Sequence, residues 1–179
     1  MLIDYGPDRV LDPLQSALAH LSNGMYGTYE GLCQLMWGSP VVPTEIKEGL
    51  RFLSATTIGC AYCRTVREVD AAGTRLLPDD FYRAVGRGDR DWDTIAPAPW
   101  PAVFEAATQT LAGEPISAAT LERVRTAGIT DPQLVEAVFF MLVIGASHRF
   151  SVAFGVEESC PIPATQLTGR PQSAPSSPA

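Results

Sequence analysis

Two cysteines separated by two residues are the part of this sequence best suited to chemistry. Cys60 and Cys63 lie in the stretch GCAYCRTVR, and the run after Gly59 is typical of a helix. On a helix at about 100° per residue, the two cysteines and Arg67 share one face. A helix N-terminus, together with Arg64 and Arg67, would lower the pKa of a cysteine thiol. We therefore expect a redox pair able to form an intramolecular disulfide.

A metal site and a packing role are the alternatives for this pair. A structural zinc ion usually takes four protein ligands, and the other candidates, Cys33, Cys160, His20 and His148, are scattered along the chain. We expect no metal and no cofactor. Cysteine is also among the residue types most often buried, so two core cysteines without chemistry remain an open alternative. A thioredoxin fold would need strands beside the motif, and the sequence shows none.

Composition indicates a single soluble domain. The chain has 179 residues, of which 46% are hydrophobic, and a net charge of −7. It has no basic cluster that could follow a phosphate backbone, so we expect no nucleic acid partner. The first residues, MLIDYGPDRVLDPL, do not resemble a secretory signal. The longest apolar run, Ala137 to Ala146, is too short to cross a bilayer. We expect a cytoplasmic protein without a membrane partner.

Periodicity and capping residues predict an all-α fold. The predicted helices run from Asp12 to about Leu21, Tyr26 to Trp37, from Thr44 onward, from the cysteine pair to Gly73, Pro78 to Val85, Pro101 to Leu111, Ser117 to Ala127, and from Asp131 onward. The segment 86–101 is predicted to be a loop. The last helix is apolar all round in its middle, which indicates the core or a subunit interface. Residues 1–158 form one predicted domain, and the Pro/Ser-rich residues 159–179 a disordered tail.

The spacing of Glu48, Cys60 and Cys63 in EGLRFLSATTIGCAYCRTVREVDAAG resembles the carboxymuconolactone decarboxylase/alkylhydroperoxidase-like superfamily. A second stretch, SHRFSVAFGVE, is similar to an arginine-containing segment near the end of that family's domain. The resemblance covers about residues 44–157. It implies a multi-helix bundle that assembles into a homotrimer or homohexamer.

The resemblance also implies roles for the three motif residues. In the peroxidase members, a glutamate and a histidine relay protons to the second, more exposed cysteine, which attacks a hydroperoxide. The first cysteine then forms the disulfide, and an external dithiol protein reduces it. By position, Cys63 would be the peroxidatic residue, Cys60 the resolving residue and Glu48 the relay carboxylate.

The relay histidine is replaced here by Arg67, which cannot shuttle a proton at neutral pH. Tyr62 and His148 are the candidates for the missing proton donor, and His148 replaces the asparagine that the family more often has beside Arg149. We expect Tyr62, Arg67 and Arg149 to contact the substrate. Three of the candidate site residues also have a structural alternative: His148 bonded to a carbonyl or to solvent, Glu48 on the surface, and Arg149 paired with a carboxylate at a subunit contact.

Three functions are compatible with these residues. The first is a thiol-dependent oxidoreductase that reduces peroxides or exchanges disulfides. The second is a cofactor-independent lyase of the decarboxylase type, or another specialised enzyme acting on a pathway intermediate. The third is a non-enzymatic helical oligomer whose cysteine pair senses redox state or packs. The intact pair favours the first.

Overall fold

The computed structural model describes Leu18, Leu21 and residues 24–156. Residues 24–156 form eight helices and no β-strand, with one isolated bridge between Val69 and Arg75. The helices are α1 (Met25–Gly38), α2 (Thr44–Ile58), α3 (Ala61–Thr65), α4 (Asp79–Arg87), α5 (Trp92–Ile95), α6 (Pro101–Leu111), α7 (Ala118–Thr126) and α8 (Asp131–Ala153). The all-α prediction is confirmed for this part. Apart from Leu18 and Leu21, the helix predicted from Asp12 lies outside the described residues, as do the tail 159–179 and Cys160.

Local capping residues explain several helix boundaries. Ser117 precedes α7, and its hydroxyl accepts the N–H of Thr120. Thr130 and Gln133 form a reciprocal capping box before α8. Gly59 ends α2 with a φ of 81°, a left-handed conformation that favours glycine. These signals lie within a few residues of each boundary, so the sequence could show them.

Two predicted elements are wrong. The helix predicted from the cysteine pair to Gly73 is only one turn long, because α3 ends at Thr65. The chain then forms a turn in which the Asp70 carboxylate accepts the N–H groups of Ala72 and Thr74. Arg67 therefore lies beyond the helix and not on the face predicted for it. The loop predicted over residues 86–101 contains the short helix α5, whose Trp92 is buried in the core.

Helix α2 lies at the centre of the bundle and contacts α3, α4, α6 and α8. Every residue from position 46 to position 55 is buried, although this stretch includes Lys47, Glu48 and Arg51. The lysine ammonium donates to the carbonyl oxygens of Met36 and Ser39, each at 2.6 Å, and so caps the C-terminal end of α1. Burying a charge is costly unless it is paired. Each of these three buried charges is bonded to a group on another element, and the bond holds that element against α2.

Helix α8 is buried on one face only. Residues such as Ala137, Phe140 and Met141 are fully buried in the core. Exposed apolar residues follow a spacing of three to four along the opposite face, at Val135, Phe139 and Leu142, and Val152 is exposed ten residues further along the helix. Its length and a mean hydropathy of 1.4 would also suit a membrane span, but 44% of that window is buried, as in a core helix. The structure thus leaves a long apolar stripe uncovered in this chain.

Candidate functional site

The cysteine pair stands at the start of α3. Cys60 is the N-cap residue, and Cys63 lies in the single turn that follows. The two Cα atoms are 5.3 Å apart and the sulfur atoms lie at disulfide distance. The N–H of Cys63 also points at Cys60 Sγ, at 3.2 Å. The predicted proximity of the two cysteines is therefore present in the fold, and it arises from one helical turn.

Both cysteines are buried, with exposed fractions of 1% for Cys60 and 4% for Cys63. They belong to a small apolar cluster with Ala55, Tyr62 and Val156. Val156 reaches this cluster through the turn that ends α8, where its N–H donates to the Ser151 carbonyl at 2.9 Å. The sequence did not indicate that residues after α8 cover the pair.

Helix α8 also supplies a polar neighbour that sequence reasoning missed. Ser151 Oγ lies 3.8 Å from Cys63 Sγ, and the serine hydroxyl donates to the Ser147 carbonyl at 2.9 Å. Both serines are buried. Helix α8 therefore packs against the cysteine helix α3, a contact that a role for His148 at the cysteines would require. The one available signal was that Ser151 lies three residues from His148 on the same predicted helix.

Glu48 is fully buried, which excludes the surface alternative. Arg51 binds its carboxylate through two nitrogens, with Nε–Oε2 at 2.6 Å and Nη2–Oε1 at 2.9 Å. The Tyr82 hydroxyl donates to Oε1 at 2.9 Å, and the Glu68 N–H approaches the same oxygen at 3.4 Å. Burial and the negative charge of Glu48 raise the pKa of Tyr82 above its ordinary value. The carboxylate is thus held by donors from three segments.

Arg51 connects this carboxylate to the cysteine helix. Its Nη1 donates to the Cys63 carbonyl at 2.8 Å, and its Nη2 donates to the Val66 carbonyl at 2.9 Å. A continuing helix would use the Cys63 carbonyl to accept an N–H four residues later. Arg51 takes that acceptor, which accounts for the early end of α3. The sequence gave one weak signal for Arg51, its position three residues after Glu48 on a helix.

The contacts of Arg67 are with two aromatic rings and two backbone carbonyls, and not with the cysteine sulfurs. Its guanidinium lies over the rings of Phe52 and Tyr82, with its central carbon 4.6 Å and 4.3 Å from the ring centres. It also donates to the carbonyls of Arg64 and Val66. Partial burial, and then the positive charge of Arg51, lower its pKa from the ordinary arginine value. These contacts make Arg67 a bridge between the loop after α3 and helix α4.

His148 is buried, with 2% of its surface exposed, and its Nδ1 lies 3.0 Å from Ser54 Oγ. Burial lowers the pKa of His148 to about 3, and the charges of Arg51 and Arg149 act in the same direction. The imidazole is therefore neutral at pH 7 and has no imidazolium proton to donate. Arg149 itself is exposed on α8. The structure thus separates these two adjacent residues, since one faces α2 and the other faces solvent.

Two observations concern other possible ligand sites in the described part of the chain. Among Leu18, Leu21 and residues 24–156, no group of three or more His, Cys, Asp or Glu side chains could hold a metal ion. A cleft of about 260 Å³ is lined by residues of α5, α6 and α7, including Trp92 and Arg123, and not by the cysteine site.

The chain was compared with protein-family models, curated proteins and solved structures, and it matches none of them. Function must therefore be inferred from the geometry described above.

Proposed function

We propose that the protein is a thiol-dependent oxidoreductase whose reactive groups are Cys60 and Cys63. One observation carries this proposal: the two sulfurs lie at disulfide distance at the start of a single-turn helix. A disulfide across such a short segment can open and close without rearranging the bundle. The fold that we infer is the alkylhydroperoxidase-like bundle, and the expected location is a reducing compartment such as the cytoplasm.

With a hydroperoxide as the oxidant, the reaction at this pair balances in two steps. The Cys63 thiolate attacks the terminal peroxide oxygen, the O–O bond breaks, and the departing alkoxide takes a proton to become an alcohol. The resulting sulfenic acid condenses with the Cys60 thiol and releases water, which leaves the disulfide. A dithiol, free or on a partner protein, then donates two electrons and two protons and becomes a disulfide itself.

The proton relay that the resemblance implied is not part of this proposal. All the described contacts of Glu48 hold it in place, and Arg51 binds both of its oxygens. His148 is neutral at pH 7 and bound to Ser54. We propose that solvent protonates the leaving oxygen. Ser151 Oγ, 3.8 Å from Cys63 Sγ, can accept the S–H of the reduced thiol, because the serine proton is donated to the Ser147 carbonyl.

The lyase alternative receives no support from these contacts. Cofactor-independent decarboxylation needs an acid–base residue free to exchange a proton with the substrate. In the described site the two candidates, Glu48 and His148, are both buried and bonded to other side chains. The redox-sensor alternative shares the same sulfur chemistry, and turnover with a reductant distinguishes it from an enzyme.

We also propose that the protein assembles with copies of itself through the exposed stripe of α8. Large exposed apolar residues such as Phe139 and Leu142 at helical spacing are typical of a helix that packs against another helix. Light scattering should give the mass of a trimer or hexamer. Leu142→Glu should lower that mass, whereas Glu122→Gln on α7 should not. A monomeric wild-type protein would contradict this proposal.

The pH dependence of alkylation tests the proposed function. The reduced protein is treated with iodoacetamide between pH 5 and pH 9, and mass spectrometry assigns the modified cysteines. We expect Cys63 to be alkylated in the folded protein, at a rate that rises with pH as its thiolate forms. Hydrogen peroxide should convert the pair to the Cys60–Cys63 disulfide, while Cys33 serves as an internal control. If both cysteines react only after unfolding, the proposal is wrong.

A further inference from the structure

We infer that Arg51 is a positioning residue for the cysteine pair and that it sets how readily the disulfide forms. This inference rests on the proposed function. Arg51 is buried in α2 and donates four hydrogen bonds. Two go to the Glu48 carboxylate, one goes to the Cys63 carbonyl and one goes to the Val66 carbonyl. The guanidinium is thus the direct link between the central helix and the helix that carries the cysteines.

The carbonyls that Arg51 binds determine the shape of the cysteine segment. A five-residue helix has few internal hydrogen bonds and is marginal without outside support. Arg51 binds the carbonyl of Cys63 itself and that of Val66, the residue that ends the helix. It therefore holds α3 as a single turn, the geometry in which the Cα atoms are 5.3 Å apart. Ordering the segment before the sulfurs bond lowers the entropy cost of disulfide formation.

Because Glu48 balances the charge of Arg51, the arginine should act on the cysteine pair through the shape of α3 more than through its charge. The carboxylate lies 2.6 Å from Arg51 Nε and balances the guanidinium charge. Removing the guanidinium fork should therefore change the disulfide equilibrium more than it changes the pKa of the thiols. A lysine keeps the charge, but its compact ammonium cannot reproduce the planar fork that spans a carboxylate and two carbonyls.

The test is the equilibrium of the pair with glutathione. Oxidised glutathione takes two electrons from the Cys60 and Cys63 thiols and gives the protein disulfide and two molecules of reduced glutathione. Oxidised and reduced protein are quantified by acid quenching and mass spectrometry. The comparison is between wild type, Arg51→Lys and Arg83→Lys, in which the replaced arginine lies exposed on α4. All three are first checked by circular dichroism.

We expect Arg51→Lys to lower the equilibrium constant for disulfide formation about tenfold, which raises the reduction potential of the pair by about 30 mV, because the lysine cannot bind both the Cys63 and the Val66 carbonyls. Arg83→Lys should stay within twofold of wild type. Equal constants for wild type and Arg51→Lys would overturn the inference. A wild-type pair that remains reduced at every glutathione ratio would instead refute the proposed function.

A second variant distinguishes a positioning role of Arg51 from an effect of overall stability on the disulfide equilibrium, and it can be measured even if Arg51→Lys does not fold. Glu48→Gln keeps an oxygen for Arg51 and leaves the arginine's carbonyl bonds possible, but it removes the balancing charge. We expect this variant to unfold at lower urea concentration than wild type and yet to keep the glutathione equilibrium within about threefold. A tenfold shift in Glu48→Gln would show that the equilibrium follows overall stability, and the positioning role would be refuted.

Discussion

The buried His148 gives the sharpest prediction about stability. In the folded protein its pKa is lowered to about 3, whereas an unfolded chain returns it to about 6.5. Between these values the unfolded state binds a proton that the folded state does not, so the free energy of unfolding falls as the pH falls. Above pH 6.5 the histidine costs nothing, and the penalty grows steadily toward pH 3.

The size of this effect follows from the two pKa values. Between pH 7 and pH 5, protonation of the unfolded histidine should lower the free energy of unfolding by about 2 kcal/mol. His148→Gln removes the titrating group and keeps a side chain that can hydrogen-bond Ser54. Any uniform loss of stability in this variant cancels when the same protein is compared at two pH values.

The assay is urea unfolding at pH 7 and pH 5 for wild type, His148→Gln and His20→Gln. The chain has two histidines, so the second variant is the matched control. We expect wild type to lose about 2 kcal/mol more than His148→Gln between these pH values, while His20→Gln measures what the other histidine contributes. An equal loss in His148→Gln would mean that His148 titrates normally in the folded state and that its burial between α2 and α8 is wrong.

Two further substitutions test the packing around the site. A Cβ at Gly49 would lie 2.6 Å from Phe104 Cζ, so Gly49→Ala should lower the free energy of unfolding by about 1–3 kcal/mol. The control is Gly31→Ala on α1, where the Cβ would meet no atom within 4 Å and the free energy of unfolding should not fall. Equal urea midpoints for the two variants would contradict the packing of α2. Val156→Ala should raise the rate at which iodoacetamide alkylates the reduced cysteines at least severalfold, because Val156 packs against them in the same buried cluster. An unchanged rate would show that Val156 does not control how the reagent reaches the cysteines.

The parts of the fold that the sequence predicted are those with local causes. Helix starts at Thr44, Ala118 and Asp131 follow from prolines and capping residues that lie within three positions of the boundary. The proximity of Cys60 and Cys63 likewise requires only one helical turn. Such features depend on neighbouring residues and need no knowledge of the tertiary structure.

The parts that could not be predicted depend on contacts between distant segments. The end of α3 is set by Arg51, twelve residues before Cys63, through a side chain bound to a carbonyl. The sequence around Glu48 is compatible with a surface position, because its hydrogen-bond partner Tyr82 lies 34 residues away in the chain. The same holds for Ser151, which lies 88 residues from the cysteine that it contacts. Helical periodicity carries no information about such partners.

The hydrogen bond from the Cys63 N–H to Cys60 Sγ distinguishes the two sulfurs as leaving groups. In thiol–disulfide exchange an incoming thiolate attacks one sulfur, and the other departs with the electron pair. A departing Cys60 thiolate would keep an N–H donor already pointed at it. The incoming thiol would then be joined to Cys63, so the mixed intermediate would carry the partner on the helical turn, next to Ser151. If the pair exchanges disulfides as proposed, the start of this five-residue helix would set the order in which the bonds break.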